Sequence, residues 1–167
     1  MKYSNKLKDL NSLKKITQKL NKERKKVVFT NGCFDIIHPG HIKLLKEAKK
    51  RGNILITAIN SDKSIQKIKG NRRPVFNDKA RAEIISSLDF VDYVIIFDEP
   101  TPYKLIKQLK PDILVKGGDW KKQKIVGKNI VDKIVRVKPL RGYSTTATIE
   151  KIIKLYKGGA KKNIKSN

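Results

Sequence analysis

Five short apolar runs, separated by stretches with helical spacing, constrain the fold of this chain most strongly. The runs are rich in β-branched and aromatic residues, and their apolar positions are continuous rather than alternating. Continuous runs are typical of strands that are buried on both faces of a sheet. Because helices alternate with these strands, the sequence predicts an α/β fold with three αβα layers and a central parallel sheet. The predicted strands are residues 26–30, 54–59, 91–97, 113–115 and 134–137.

Helices are predicted from apolar periodicity and from residues that favour helix ends. Apolar residues spaced three or four apart between Leu7 and Leu20 predict an amphipathic first helix. Pro39 suits the first turn of the next helix, whereas Asn77 and Thr101 are predicted helix caps. We therefore expect one domain over residues 1–167, with an N-terminal amphipathic helix in 1–26, a core in 27–157 and a basic flexible tail in 158–167.

The formal net charge of +25 raises the question of nucleic-acid binding. The chain has 33 Lys and only 7 Arg, whereas base and phosphate recognition commonly uses the bidentate guanidinium of Arg. We therefore favour an anionic small substrate over specific nucleic acid as the partner. Cys33 is the single cysteine, which excludes an internal disulfide. No apolar run reaches the roughly 18 residues of a membrane helix, so a cytoplasmic protein without membrane contact is expected.

The most informative segment follows the first predicted strand. It contains both histidines of the chain, His38 and His41, with Gly40 between them at the start of a predicted helix. Ligands of parallel α/β sheets bind at the carboxyl ends of the strands, and a helix N-terminus favours anions. An anion site is therefore predicted here. Zinc held by the two histidines and Asp35 is an alternative, although these ligands would lie along one loop and helix start.

These residues resemble a known signature. Gly32-x-Phe34-Asp35 followed by His38-Pro-Gly-His41 is similar to the motif of the cytidylyltransferase-like nucleotidyltransferases. Further segments resemble the heptose 1-phosphate adenylyltransferases within that superfamily. These are the Asn60-Ser-Asp62 segment, the Lys116-Gly-Gly-Asp119 block that ends at Trp120, and the Tyr143-Ser-Thr-Thr146 turn. The resemblance extends over residues 7–155.

The resemblance implies a Rossmann-like, HIGH-type nucleotidyltransferase fold and a reaction between ATP and D-glycero-β-D-manno-heptose 1-phosphate. The products would be ADP-heptose, used for lipopolysaccharide core, and pyrophosphate. The alternative is a cytidylyltransferase that acts on glycerol 3-phosphate or a related phosphorylated alcohol. Mg²⁺ would accompany ATP. Many relatives carry this domain fused to a sugar kinase, so a stand-alone form is expected, and homo-oligomer formation remains open.

The resemblance and the positions of the residues also imply site roles. The catalytic residues would be His38, His41 and Lys69, with Lys67 as the substitute for Lys69 if the loop register differs. Nucleotide binding is assigned to a larger group: Thr30, Asn31, Gly32, Phe34, Gly40, Lys116, Gly117, Gly118, Arg141, Ser144, Thr145 and Thr146. Substrate binding is assigned to Asp35, Arg81, Asp119 and Trp120.

Several of these residues have simpler structural interpretations. Asp35 could help to hold Mg²⁺ or could order its loop. Ser144 to Thr146 could be only a helix cap, and Trp120 could belong to the core. Cys33 is interpreted as a passive loop residue, because the expected chemistry requires no thiol nucleophile.

Overall fold

The computed structural model describes residues 5–118 and 125–157. Within these residues the chain forms helices and strands in the order that the apolar runs predict. The bounds are α1 Leu10–Lys22, β1 Val27–Gly32, α2 Pro39–Lys49, β2 Ile54–Asn60, α3 Asp62–Lys69, α4 Asp78–Ser86, β3 Tyr93–Phe97, α5 Tyr103–Leu109, β4 Ile113–Gly117, β5 Lys133–Val137 and α6 Thr145–Tyr156.

The five strands form one sheet in the order β3-β2-β1-β4-β5, and every pairing is parallel. Thr30 in β1 lies between Thr57 in β2 and Val115 in β4. From the central strand β1, the chain first adds β2 and β3 on one side of the sheet. It then crosses over and adds β4 and β5 on the other side. The reversal of strand order lies between β1 and β4, which is where a ligand crevice is expected.

Two apolar clusters cover the two faces of the sheet. One cluster joins Leu13 of α1 and Ile106 of α5 to Phe29 of β1. The other joins Leu45 of α2 and Ile85 of α4 to the neighbouring β1 residue, Val28. Consecutive strand residues thus enter opposite clusters, which explains why the strands are continuously apolar. The predicted three-layer fold with a parallel sheet is confirmed.

Most predicted helix starts are confirmed. The Asn77 side chain accepts a hydrogen bond from the Ala80 amide, and Pro39 occupies the first turn of α2. Thr101 was predicted wrongly as a cap: α5 begins at Tyr103, and the capping position is held by Pro102 without a side-chain hydrogen bond. The first helix begins at Leu10 after its cap Asp9, whereas Leu7 forms an isolated parallel bridge with Val94 of β3.

Over the described parts of the chain, none of the helices combines the length and the apolar character that a membrane span requires. The predicted tail, residues 158–167, lies outside the described residues.

Candidate active site

A cavity of about 490 Å³ opens at the carboxyl ends of β1 and β4, at the reversal of strand order. Its floor includes Asn31 and Gly32 at the end of β1 and Lys116 and Gly117 at the end of β4. The start of α2 forms an adjoining wall. The structure therefore brings together ten of the residues predicted for the site: Asn31, Gly32, Phe34, His38, Gly40, His41, Lys69, Lys116, Gly117 and Gly118.

The two histidines form a stacked pair at the mouth of α2. Their ring centroids are 3.8 Å apart, and the Phe34 ring lies 5.2 Å from the His41 ring. Both Nδ1 atoms are buried without a hydrogen-bond partner among the described residues. Burial lowers the pKa of His38, and burial together with the neighbouring His38 lowers the pKa of His41 to about 4. His41 is therefore neutral at pH 7 and has N–H capacity available for a ligand.

Gly40 allows this arrangement because it lacks a Cβ atom. A Cβ atom at this position would lie 3.0 Å from both Cε1 and Nδ1 of the His38 ring. Any side chain here would press on the ring that stacks against His41. The glycine between the histidines thus leaves room for the imidazole as well as for the approach of a ligand.

Lys116 supplies a buried positive charge at the cavity floor. Its Nζ donates a hydrogen bond to Oδ1 of Asn31 on the neighbouring strand. Burial lowers the pKa of Lys116 to about 8. Among the described residues that line the cavity there are three lysines, Lys69, Lys116 and Lys138, and no carboxylate. A cavity with this charge balance suits an anionic ligand.

Asp35 orders the loops beside the cavity instead of facing a ligand. The residue is 1% exposed. One carboxylate oxygen accepts a hydrogen bond from Nε of Arg73 at 2.6 Å, and the other accepts from the amides of Val75 and Phe76 at 2.7 and 3.2 Å. Of the two roles considered for Asp35, the geometry favours loop ordering over Mg²⁺ binding or contact with substrate.

Arg81 requires a correction to the predicted substrate contact. Its side chain is fully buried, and its three nitrogens are all used inside the protein. They donate to the carbonyl oxygens of Phe76 and Cys33 and to the Asp62 carboxylate, at 2.7–2.9 Å. Arg81 therefore fixes the backbone of the loop that follows β1. The sequence shows a basic residue on α4 but not which face of the helix is buried.

The predicted second anion site is arranged differently. Ser144 caps α6 by accepting a hydrogen bond from the Ala147 amide, so its role as a helix cap is confirmed. The cavity wall is formed by Tyr143 and by residues 138–140, whereas Arg141, Ser144, Thr145 and Thr146 are not among its described lining residues. Thr30, predicted to bind nucleotide, is fully buried and is not among the described lining residues. Asp119 and Trp120 lie outside the described residues.

Sequence reasoning missed several lining residues. Asn60 ends β2, Thr101 precedes α5, and Val137 ends β5. The signal was available, because two of these residues end parallel strands, where ligands of such sheets bind. Cys33 also lines the cavity, and burial raises the pKa of its thiol, which agrees with a passive role.

Comparison with known proteins supports a family assignment. A model of the cytidylyltransferase-like family matches residues 29–165. The chain is 50% identical to the bifunctional protein HldE of Aliarcobacter butzleri over 146 residues, which are 87% of this chain and 31% of that protein. It is 45% identical to HldE of Geobacter metallireducens over 155 residues, or 90% of this chain and 32% of the relative. The chain thus spans about a third of the length of these relatives.

Solved structures agree with this assignment. The lipopolysaccharide core biosynthesis protein of Thermoplasma volcanium is 35% identical, with a TM-score of 0.59, and the match covers 70% of this chain and 98% of that one. Pantoate-β-alanine ligase of Francisella tularensis shares the fold at 18% identity, with a TM-score of 0.59 over 96% of this chain and 81% of the ligase. The chain belongs to the cytidylyltransferase-like family.

Proposed function

We propose that this protein transfers AMP from ATP to D-glycero-β-D-manno-heptose 1-phosphate and forms ADP-heptose and pyrophosphate. The observation that carries the proposal is the cavity at the sheet reversal, where two free imidazoles and three lysines line one space. The HldE relatives and the lipopolysaccharide core biosynthesis protein support the choice of acceptor. We further propose that the reaction takes place in the cytoplasm.

The reaction needs alignment and charge neutralisation more than proton removal. A phosphate oxygen of the sugar phosphate attacks the α-phosphorus of ATP, and the bond to the pyrophosphate oxygen breaks. Because the attacking oxygen is already anionic, no general base is required. The barrier instead falls when the two anionic reactants are held in line and the transition-state charge is stabilised.

The histidines suit the stabilisation of phosphate oxygens. A neutral imidazole has one N–H group, which can donate a hydrogen bond to a phosphate oxygen without any proton transfer. The N-terminus of α2 adds the positive end of the helix dipole. We assign His38 and His41, as neutral donors, to the α- and β-phosphates, and Lys69 as a cationic contact from the opposite side of the cavity.

The nucleotide base fits the side of the cavity above β4 and β5. Gly117 and Gly118 allow close approach to the backbone, and Ile125, Val126 and Val137 provide apolar contact. We propose that adenine binds there and that Lys116 neutralises phosphate charge. Contacts of the nucleotide phosphates with Arg141 and with residues 144–146 remain part of the proposal and would require the ligand to extend beyond the cavity.

Mg²⁺ is proposed to enter with the ATP phosphates. Both carboxylate oxygens of Asp35 are already occupied by protein donors, and the described residues contain no cluster of three or more His, Cys, Asp or Glu side chains suited to a metal ion. When bound, the ion would supply charge neutralisation at the triphosphate. The residues of this chain would contact the phosphates rather than form a dedicated metal cage.

The test is a turnover assay that compares ATP with CTP and heptose 1-phosphate with glycerol 3-phosphate. We expect pyrophosphate release with ATP and heptose 1-phosphate. Exclusive use of CTP would overturn the proposal in favour of the cytidylyltransferase alternative. The variant His41→Ala should lose at least 100-fold in kcat, on the scale of a lost transition-state donor, while circular dichroism shows an unchanged fold.

A further inference from the structure

The described lining of the cavity divides into two halves by its position along the sheet. The half above β4 and β5, which we call the glycine half, is lined by Gly117, Gly118, Ile125 and Val126. The other half, which we call the β2 half, lies at the end of β2, the end of α3 and the start of α5. It is lined by Asn60, Ile68, Lys69, Pro100, Thr101 and Pro102. The sheet order separates the two halves, because β2 and β5 lie on opposite sides of the β1–β4 pair.

Asn60 is the buried polar side chain of the β2 half. It is 4% exposed and is the last residue of β2. Its Nδ2 donates a hydrogen bond to Oγ of Ser64 at 3.0 Å. The Ser64 hydroxyl in turn donates to the backbone carbonyl of Glu99 at 2.8 Å. The amide of Asn60 is therefore held by a short chain of hydrogen bonds that begins outside the cavity.

This chain of hydrogen bonds determines which way the amide points. The Glu99 carbonyl can only accept, so the single hydroxyl proton of Ser64 is used there. Ser64 must then accept from Asn60, and the NH₂ group of Asn60 must face Ser64. The Oδ1 atom, which accepts no hydrogen bond from the described part of the chain, remains free on a side chain that lines the cavity.

A fixed carbonyl oxygen in a binding cavity selects a ligand that carries a donor. At neutral pH the phosphates of ATP offer acceptors only, and the donors of ATP, its ribose hydroxyls and adenine amine, belong to the nucleoside that we assign to the glycine half. The hydroxyl groups of a sugar acceptor are donors that can reach the β2 half. The neighbouring Pro100, Pro102 and Ile68 can pack against the C–H faces of a sugar ring, and Lys69 provides a cation for its phosphate. The β2 half therefore has the composition of a site for a phosphorylated polyhydroxy compound.

We propose that the β2 half of the cavity is the acceptor subsite, and that the Asn60 Oδ1 atom accepts a hydrogen bond from a hydroxyl group of the acceptor. Asn60 is then a specificity-determining residue, and Ser64 is a positioning residue that acts through it. This inference rests on the proposed nucleotidyl transfer for the reaction, but it does not depend on which phosphorylated acceptor is the natural one.

The experiment compares the wild-type protein, Asn60→Ala and Ser64→Ala with ATP and a set of monodeoxy analogues of heptose 1-phosphate. In the wild-type protein we expect one analogue to lose about 10-fold in kcat/KM, on the scale of one neutral hydrogen bond. In Asn60→Ala that analogue and the full acceptor should have equal kcat/KM. Both variants should raise the acceptor KM and leave the KM for ATP unchanged.

The controls separate a lost contact from a damaged fold. Asn21→Ala, an exposed asparagine in α1, should behave as the wild-type protein in every measurement. If Asn60→Ala does not fold, as judged by circular dichroism, Ser64→Ala supplies the same comparison. The inference is overturned if the deoxy penalty is the same in the folded variant as in the wild-type protein, or if the KM for ATP rises while the acceptor KM is constant.

Failure of the proposed function gives a different result. If the wild-type protein uses CTP and glycerol 3-phosphate, the adenylyltransferase proposal is wrong. The acceptor subsite is then judged with glycerol 3-phosphate and its analogue that lacks the C2 hydroxyl. A higher acceptor KM in Asn60→Ala, at constant KM for CTP, supports the subsite, and an unchanged acceptor KM overturns it.

Discussion

At the scale of single residues, the site depends on polar groups that the fold leaves unpaired. The Nδ1 atoms of His38 and His41 lie buried without partners among the described residues. Within the same part of the chain, the one hydrogen-bond partner of the Lys116 ammonium group is the amide oxygen of Asn31. Burying such groups costs free energy unless a ligand compensates for it. Their placement around one cavity is therefore a mark of binding rather than of stability.

The histidine pair makes stability depend on pH. The pKa of His41 is lowered to about 4 in the folded protein from the usual value of 6.5, so between these values the unfolded chain binds a proton that the folded protein does not. The free energy of unfolding should therefore fall as the pH decreases from 6.5 to 4, with at most about 3 kcal/mol from this residue. Urea unfolding across this range should show a smaller fall for His41→Gln, and equal pH dependence of the two proteins would contradict the assignment.

Asp35 should matter more for stability than for metal affinity. Asp35→Asn removes the charge from a nearly buried pair with Arg73, and we expect the free energy of unfolding to fall by about 3 kcal/mol. As a control, Glu47→Gln removes the carboxylate that pairs with the exposed Lys50 and Arg51 and should cause no measurable change. Chemical denaturation measures both. A stable Asp35→Asn protein with weakened Mg²⁺ dependence would instead support a role as a metal ligand.

At the scale of elements, the helix and strand order was predictable because each signal is local. Apolar runs mark the strands, and Asn77 and Pro39 mark helix starts. Thr101 illustrates the limit of such signals. A threonine before a helix can cap it or can face a ligand, and the sequence is the same in both cases. Here Thr101 lines the cavity and Pro102 takes the capping position.

The start of α2 should separate stability from activity. Gly40→Ala favours the helix by about 1 kcal/mol in propensity, but its Cβ atom would lie 3.0 Å from the His38 ring. We expect the melting temperature to stay within a few degrees, while kcat falls at least 10-fold because the imidazole is displaced. Steady-state kinetics and calorimetry measure the two effects. Full activity of Gly40→Ala would show that the position of the His38 ring is not critical.

At the scale of the whole molecule, the predicted and observed sites differ mainly at residues whose side chains are buried inside the protein rather than directed into the cavity. The motif predicted the centre of the cavity, because those residues are consecutive in sequence around the first strand. Arg81 and Asp35 were assigned to substrate, but the fold turns both side chains into the protein. Asn60 was overlooked as a ligand contact because hydrogen bonds through Ser64 to the Glu99 carbonyl set the orientation of its amide. Glu99 is distant from Asn60 in the sequence, so the sequence gives no local sign of this arrangement.

The distribution of the core predicts where substitutions are tolerated. Leu45 is fully buried between α2 and the sheet, whereas Leu155 in α6 is 64% exposed and α6 contains no buried residue. Leu45→Ala should lower the free energy of unfolding by about 2–5 kcal/mol, and Leu155→Ser should change it by less than about 0.5 kcal/mol. Urea unfolding measures both. A large loss from Leu155→Ser would show that α6 is covered in solution.

The bonds of Arg81 have a mechanical consequence. One guanidinium links the Cys33 carbonyl, the Phe76 carbonyl and the Asp62 carboxylate, so the loop after β1, the loop before α4 and the first residue of α3 are anchored to a single planar group. A lysine could not replace it, because a single ammonium group cannot donate to three acceptors that lie around a planar guanidinium. Separating these three segments would require several hydrogen bonds to break together, so we expect this side of the site to keep its shape when a ligand binds.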